Sequence, residues 1–425
     1  MKVSLAYGRT PLEVHLPDKN VVKCLAYQPM KPLDLPTAAI NGALHVPIDS
    51  PSLLQLAEGK KTACIVISDI TRPVPNQVIL PPILTVLEEA GIPREKITIL
   101  VGTGLHRPST PEEKLEMCGA EIVENYQIVD HYAENKDEQM YLGESPRGVP
   151  VWIDKIYMEA ELKITTGLIE PHFMAGFSGG RKAICPGIAG KETIAKWHTP
   201  LFLEHENARS GCLEQNPVHE ENTWIAKKAG CDFIVNVVLD SERQIMHVVA
   251  GNMITAFERG VEFAKKLVLD TVPEPVDIVV TSAAGYPLDL TWYQTVKGVV
   301  GAMEIVKKGG TVIVASSCAE GTGSKEFDLI ADKFPTIDAF MDAIIKDEFY
   351  VINQWQMEEL GKVLRKARVV VVTDGLPPEI LQKFYVETAP TVEAAVETAL
   401  KQYGPEATIA VLPEGPYVLA ELEVR

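Results

Sequence analysis

Short runs rich in β-branched residues alternate with helical patterns along most of the chain, and this alternation most restricts its fold. The clearest runs are TACIVISD (62–69), KITILVGTG (96–104), ELKITTGL (161–168) and CDFIVNVVLD (231–240). Each is followed by a loop, and helical stretches such as QVILPPILTVLEEAGI lie between them. This pattern predicts an α/β fold in which the sheets are mostly parallel.

A composition break at TVPEPVD (271–277), with two prolines and two acidic residues, separates two such series. Because 425 residues exceed one ordinary core, we expect two domains. The strand-like segments VDIVVTSA, GGTVIVASS, ARVVVVTDG and ATIAVLPEG follow the break. We predict an N-terminal α/β domain at residues 1–270 and a C-terminal α/β domain at 276–395, with an active-site cleft between them. Residues 396–425 are a candidate return to the first domain.

The charge and cysteine patterns exclude several classes of function. A net charge of −18 argues against a general affinity for nucleic acid or an anionic membrane. The N-terminal residues lack the apolar segment of a signal peptide, and no apolar run is long enough to cross a membrane. The seven cysteines are dispersed without a C-x-x-C pair, which is typical of reduced thiols. We therefore expect a cytoplasmic protein that acts on a small molecule.

Polar side chains collect just beyond the predicted strands, where open α/β sheets bind ligands. They are Asp69 and Arg72 after the first strand, His106 after the second, Glu170 and His172 after the third, and Tyr293, Gln294 and Lys297 after the first strand of the C-terminal domain. Taken singly these signals are weak, because an Asp and an Arg three residues apart are typical of a local ion pair. Together they predict that loops of both domains face one cleft.

The segment PHFMAGFSGGRKAICPG (171–187) is the strongest local signal. It is not a phosphate-binding P-loop, because that motif requires Gly-Lys followed by Ser or Thr. Gly179 and Gly180 allow close approach of the backbone to a ligand. Two interpretations stay open at this point. The segment is either a tight turn with two solvated bases, or a cofactor pocket in which Lys182 is reactive because desolvation and Arg181 lower its pKa.

A histidine that is a candidate metal ligand follows this segment. His198 lies sixteen residues after Lys182, near the end of a predicted helix that must stop before Pro200. His205 lies beyond that proline, so a site shared by the two histidines is not expected. A single histidine makes a poor metal site unless a cofactor supplies the other ligands.

Several long motifs occur together in one order. They are SDITRPVP, GTGLHRP, EPHFMAGFSGGRK, PGIAGKETIAKWH, AGYPLD, YQTVKG and NQWQ. In this combination and order the chain resembles the nickel-dependent lactate racemase family over almost its whole length. The resemblance implies two α/β domains with the active site between them, and a racemase or epimerase of a small 2-hydroxy acid such as lactate.

The resemblance also implies a nickel pincer nucleotide, which is Ni(II) bound by a pyridinium-3-thioamide-5-thiocarboxylic acid mononucleotide. By this similarity Lys182 forms the thioamide link to the cofactor, and Gly179 and Gly180 let the backbone approach it. His198 is then the single protein ligand to nickel, in line with the planar geometry and soft ligands that Ni(II) accepts. Asp69 is expected at this pocket, where it orients Arg72. Enzymes that make the cofactor are expected to be needed for activation.

The same similarity assigns roles around the substrate. His106 and His172 are the two acid–base groups, since imidazole titrates near neutral pH. The expected substrate-binding residues are Arg72 and Lys297 at the carboxylate, Tyr293 and Gln294 as polar neighbours, and Trp355 closing the cavity. The implied mechanism is a hydride relay through a flat 2-keto acid.

Other readings of the residues stay open. One is a metal-free lyase in which Lys182 forms a Schiff base, and another is a non-catalytic anion-binding protein on the same scaffold. The sequence does not select among lactate, malate and sugar acids. Trp292 either narrows the substrate pocket or packs in the core of the C-terminal domain.

Overall fold

The computed structural model describes residues 1–423 and contains two six-stranded sheets with helices packed on their faces. The strands are β1 (Lys2–Leu5), β2 (Leu12–His15), β3 (Val21–Cys24), β4 (Ala63–Ser68), β5 (Ile97–Gly102), β6 (Gln127–Asp130), β7 (Gln139–Glu144), β8 (Pro150–Asp154), β9 (Leu162–Leu168), β10 (Pro171–His172), β11 (Gly176–Phe177), β12 (Phe233–Leu239), β13 (Ile245–Gly251), β14 (Leu269–Val272), β15 (Val276–Ser282), β16 (Val306–Ala315), β17 (Arg368–Val372), β18 (Glu387–Thr388), β19 (Ile409–Leu412) and β20 (Leu419–Leu422).

Helices connect most of these strands. They are α1 (Pro36–His45), α2 (Leu53–Ala57), α3 (Asn76–Glu89), α4 (Pro111–Cys118), α5 (Ala120–Asn125), α6 (Lys155–Glu159), α7 (Lys191–Trp197), α8 (Pro200–Leu203), α9 (Pro217–Ala229), α10 (Thr255–Val268), α11 (Trp292–Gly301), α12 (Lys325–Lys333), α13 (Ile337–Ile345), α14 (Gln354–Leu364), α15 (Pro378–Gln382) and α16 (Val392–Tyr403). In the part of the chain that the structure describes, no helix combines the length and apolar character needed to cross a membrane.

The first sheet has the strand order β13-β12-β9-β4-β5-β6, and only β13 runs antiparallel to its neighbour. Strand β4 illustrates why this sheet forms, because hydrophobic side chains cover both faces of the strand. Cys64 and Val66 point into one hydrophobic cluster, whereas Ile65 and Ile67 point into another. A strand with two buried faces reads as a continuous apolar run, as the sequence does here.

The second sheet has the order β18-β17-β16-β15-β19-β3, and all its strands are parallel. On β16, Val312 and Val314 join the cluster shared with the first half of the molecule, while Ile313 packs on the opposite face. The α/β class, the two sheets and their mostly parallel character are confirmed by this topology.

The two ends of the chain differ from the predicted domain limits of 1–270 and 276–395. Strand β3, near the N-terminus, pairs with β19 at the edge of the second sheet, and β19 pairs with β15. Residues 409–412 therefore lie in the second sheet and do not return to the first. Strand β20 pairs with β14, which lies at the predicted linker. The segment ATIAVLPEG, which contains β19, was expected after the composition break. Apolar patterning identifies a strand but not the sheet it joins, so it assigned no partner to β3 or β20.

The structure confirms helix ends that the sequence predicts at Thr110 and His198. Thr110 caps α4 with its side chain and forms a capping box with Glu113, and Pro111 occupies the first helical turn. His198 is the C-cap of α7, and Pro200 begins α8 directly afterwards. Trp292 is fully buried at the start of α11, where its ring packs near Phe384. Trp292 therefore belongs to the core.

Candidate active site

A cavity of about 190 Å³ lies where the carboxyl ends of the first sheet's strands meet α11 and α14. It is lined by residues of both halves of the chain, as expected for a ligand site in an α/β protein. The predicted site residues along its wall are Asp69, Arg72, His106, His172, Gly179, Lys182, His198, Tyr293, Gln294, Lys297 and Trp355.

His106 is held by a carboxylate. Its Nδ1 lies 2.6 Å from Oδ2 of Asp69, and because a carboxylate only accepts, Nδ1 carries the hydrogen and Nε2 keeps its lone pair. The other oxygen of Asp69 accepts from the hydroxyl and the backbone N–H of Thr71. Burial raises the pKa of Asp69, but its interactions with His106 and Thr71 outweigh burial, so the pKa lies below its usual value. Asp69 thus orients His106, which differs from the predicted partner, Arg72.

His172 has the opposite tautomer. The backbone N–H groups of Met174 and Ala175 point at its Nδ1, at 3.4 and 3.2 Å. Since an amide N–H only donates, Nδ1 accepts and the hydrogen of the neutral ring is on Nε2. Burial, with the charges of Lys182 and Arg72, lowers the pKa of His172 well below its usual value. Nε2 of His106 therefore has a lone pair, whereas Nε2 of His172 has an N–H.

Two cations from different halves of the chain border the same cavity. Arg72 follows β4, and its Nε lies 3.5 Å from Oε1 of Glu170. Lys297 is on α11, and within residues 1–423 its ammonium has no carboxylate within 4.0 Å. Burial and the charge of Arg72 lower the pKa of Lys297 well below its usual value, and the charge of Glu170 opposes that shift. An anionic group placed between Arg72 and Lys297 would stabilise both charges.

Lys182 lies in a short 3₁₀ helix, Gly180–Ala183, directly after the hairpin of β10 and β11. Close packing builds this turn. A Cβ on Gly176, which has φ +74°, would come within 2.2 Å of the carbonyl oxygen of Cys212. Burial, with the charges of Arg181 and Arg72, lowers the pKa of Lys182 to about 7. A neutral lysine amine in a cavity is a nucleophile.

His198 is placed to act as a metal ligand. Its Nδ1 donates to the carbonyl oxygen of Ile194 at 2.8 Å, so Nε2 carries the lone pair. The ring is stacked between Trp197 and Trp355, with ring centroids 3.5 and 4.3 Å away. Burial lowers its pKa to about 3, which keeps the imidazole neutral. No cluster of three or more His, Cys, Asp or Glu residues suited to a metal occurs within residues 1–423, so a metal here would need ligands from a cofactor.

Helices α11 and α14 close the cavity with a chain of polar groups. The indole Nε1 of Trp355 donates to the hydroxyl of Tyr293 at 3.0 Å, and that hydroxyl donates to Asn353 at 3.2 Å. The side-chain amide of Gln356 donates to the backbone carbonyl of Tyr293. The side-chain oxygen of Gln294 is buried without a hydrogen-bond partner in the described structure. A buried polar atom at a cavity wall is available for a ligand.

One residue predicted at the site, Gly180, is not at the cavity wall. Two residues to which the sequence assigned no role, Glu170 and Asn353, lie at or beside it. Gly180 lies behind the wall, where its N–H donates to Asn236 and a Cβ would meet Phe257 at 2.9 Å. Glu170 contacts Arg72. From the sequence, Glu170 is recognisable only as a polar residue that follows a strand. Asn353 lines the cavity with a left-handed backbone, φ 69°. Its position in the NQWQ motif was the available signal.

Family models match both halves of the chain. The model described as the lactate racemase N-terminal domain matches residues 7–211, and the lactate racemase C-terminal domain matches residues 271–420. Together these matches include the strand-end loops, the Lys182 segment and helices α11 and α14.

Two curated relatives cover nearly the whole chain. A lactate racemase of Thermoanaerobacterium thermosaccharolyticum is 35% identical over 426 residues, covering 98% of each chain. A lactate racemase of Lactiplantibacillus plantarum is 37% identical over 385 residues, covering 90% of each.

Solved structures show the same architecture. The lactate racemase apoprotein from T. thermosaccharolyticum superposes with a TM-score of 0.93 at 34% identity, covering 99% of this chain and 100% of that one. A protein from Thermotoga maritima, at 18% identity, has a TM-score of 0.71 and shares the fold, covering 93% of this chain and 100% of its own. The present chain belongs to the lactate racemase family.

Proposed function

We propose that the protein interconverts the stereoisomers of a small 2-hydroxy acid, lactate or a close relative. The observation that carries this proposal is the convergence, in one cavity, of two cations, two histidines of opposite tautomer and a reactive lysine. The relatives named lactate racemase support it.

The cations explain recognition of the substrate. Arg72 presents a planar guanidinium that can bind a carboxylate through two parallel hydrogen bonds, and Lys297 adds a point charge. Arg72 follows β4 and Lys297 lies on α11, so a carboxylate that contacts both bridges the two halves of the chain. Gln294 provides a further polar group beside them.

The histidines supply the proton transfers. Nε2 of His106 has the lone pair that accepts a proton from the substrate hydroxyl, and Asp69 stabilises the imidazolium that forms. Nε2–H of His172 is a hydrogen-bond donor for an oxygen on another part of the wall. A racemase handles the oxygen of the substrate in two positions, so both histidines are needed in each direction of the reaction.

The residues present fit a nickel pincer nucleotide. Lys182 would form its covalent link, because a large fraction of its amine is neutral near pH 7 and the amine has no hydrogen-bond or ion-pair partner within residues 1–423. His198 would bind nickel through the free Nε2. When bound, this cofactor supplies the hydride acceptor that a 2-hydroxy acid requires. We propose that enzymes making this cofactor are needed to activate the protein.

A substrate panel tests the proposal. The protein is co-expressed with cofactor-making enzymes, and enantiopure 2-hydroxy acids are followed by chiral chromatography. We expect loss of enantiopurity for at least one short 2-hydroxy acid. If none reacts while nickel and the organic part are present in stoichiometric amounts, the proposed activity is wrong. Borohydride trapping of a keto acid on Lys182 of metal-free protein would instead favour a Schiff-base lyase.

A further inference from the structure

Glu170 lies behind the two cations of the cavity. It follows the end of β9, its side chain is 19% exposed, and it contacts Nε of Arg72 at 3.5 Å. It does not line the active-site cavity. Arg72, Glu170 and Lys297 instead border a second, smaller space of about 30 Å³ together with Tyr417. Glu170 therefore lies outside the wall of the active-site cavity and would act through Arg72 and Lys297.

The charges around Lys297 explain why a carboxylate is useful at this position. Arg72 and Lys182 oppose the protonated form of Lys297, whereas Glu170 and Asp69 favour it. Asp69 is already bonded to His106 and Thr71, so Glu170 is the acid left to act on the two cations, through its ion pair with Arg72. Two like charges in a poorly solvated wall repel each other unless an anion lies near them.

We propose that Glu170 is a positioning residue that holds Arg72 fixed and favours the charged form of Lys297 for the carboxylate of the substrate. This inference rests on the proposed function. In the absence of substrate, Glu170 supplies the negative charge that the pair needs. When the substrate carboxylate arrives, Arg72 is already oriented, and the charge of the substrate adds to that of Glu170 in favouring protonated Lys297.

The test compares Glu170→Gln and Glu170→Met, which remove the charge, with Glu170→Asp, which keeps it. Without the charge, Lys297 loses its proton at lower pH, so KM should rise earlier as the pH increases. We expect a roughly tenfold to hundredfold loss of kcat/KM at pH 9, carried mainly by KM, and a smaller loss at pH 6.5. Glu170→Asp should restore the wild-type pH dependence of KM at least in part.

Glu221→Gln is a matched control, because Glu221 is 1% exposed and lies 3.5 Å from Arg147, away from the cavity. This variant should leave the pH dependence of KM unchanged. The inference is wrong if both charge-removing variants keep the wild-type pH profile of KM, or if Glu221→Gln shifts it equally.

Binding without turnover separates this inference from the proposed function. The affinity of the apoprotein for lactate, measured by ligand-detected NMR at pH 6.5 and 9, should fall more steeply with pH in Glu170→Gln than in the wild type. That steeper fall supports the role of Glu170 even if the loaded enzyme racemises nothing. An equal fall in both proteins refutes it even if the enzyme is an active racemase.

Discussion

The Asp69→Asn substitution tests the catalytic geometry most sharply, because the structure fixes how the new amide must lie. The backbone N–H of Thr71 points at Oδ1 of Asp69 at 3.2 Å and only donates. The amide oxygen of Asn must therefore face Thr71, and its NH₂ group must face His106. An NH₂ donor at that position forces Nδ1 of His106 to accept, which moves the ring hydrogen to Nε2 and removes the lone pair from the cavity.

The expected loss follows from this change of tautomer. A positioned acid–base group contributes roughly 10²–10⁴ in rate, which is about 2.7–5.4 kcal/mol of activation free energy at about 1.36 kcal/mol per tenfold. We expect kcat to fall by this factor in both directions, measured from each enantiomer by chiral chromatography or polarimetry. KM should change less than kcat, because the side chains of Arg72 and Lys297 make no hydrogen bond to Asp69.

The chain contains a matched control for this substitution. His131 and Asp154 form a second buried pair, with Nδ1 and Oδ2 2.8 Å apart, that does not line the cavity. Asp154→Asn should lower the melting temperature but leave kcat per folded molecule near the wild-type value. If Asp69→Asn keeps kcat within threefold of the wild type, His106 is not the base that Asp69 prepares.

Three further outcomes are expected. Holo-protein should carry a covalent adduct that peptide mapping places on Lys182 within residues 175–191. The Lys182→Ala substitution should abolish the adduct. The His198→Ala variant should lose nickel more readily than the organic part of the cofactor. Lys297→Ala should reduce kcat/KM by roughly tenfold to hundredfold, and full retention would exclude a carboxylate contact at this lysine. Burial and the neighbouring Glu359 raise the pKa of Glu358 to about 9, so the folded state binds more protons than the unfolded state from about pH 4.5 upward. Stability should therefore fall with rising pH by up to about 1.4 kcal/mol per unit, and Glu358→Gln should raise the melting temperature at pH 8–9 more than at pH 5; an equal gain at both values would contradict this.

Sequence patterns were sufficient for the strands whose two faces are buried. The run 62–69 became β4 and 96–104 became β5, because alternate residues of each enter opposite clusters. The run 161–168 became β9, which is buried along almost its whole length and places its apolar residues in one cluster. Short edge elements were harder. Strand β3 is only partly buried, and it carries no pattern that distinguishes one sheet edge from another.

The strand-end rule also located most of the candidate site. Arg72, His106 and His172 lie at the cavity because the strands before them are parallel and expose their carboxyl ends together. The family motifs added Lys182 and His198, which no spacing argument alone had assigned. The pattern did not show that Gly180 faces Phe257 and lies outside the cavity.

The sequence by itself determined the local chemistry: which segments become strands, where helices begin, and which loops carry ionisable groups. Only the tertiary structure decided which of those groups meet. Asp69 bonds to His106 because β4 and β5 are adjacent, with Ser68 opposite Gly102, and their following loops emerge side by side. Arg72 instead contacts Glu170, which follows β9, the strand on the other side of β4. Pairing partners depend on strand order, and strand order depends on contacts between residues far apart in the chain, which local patterns do not encode.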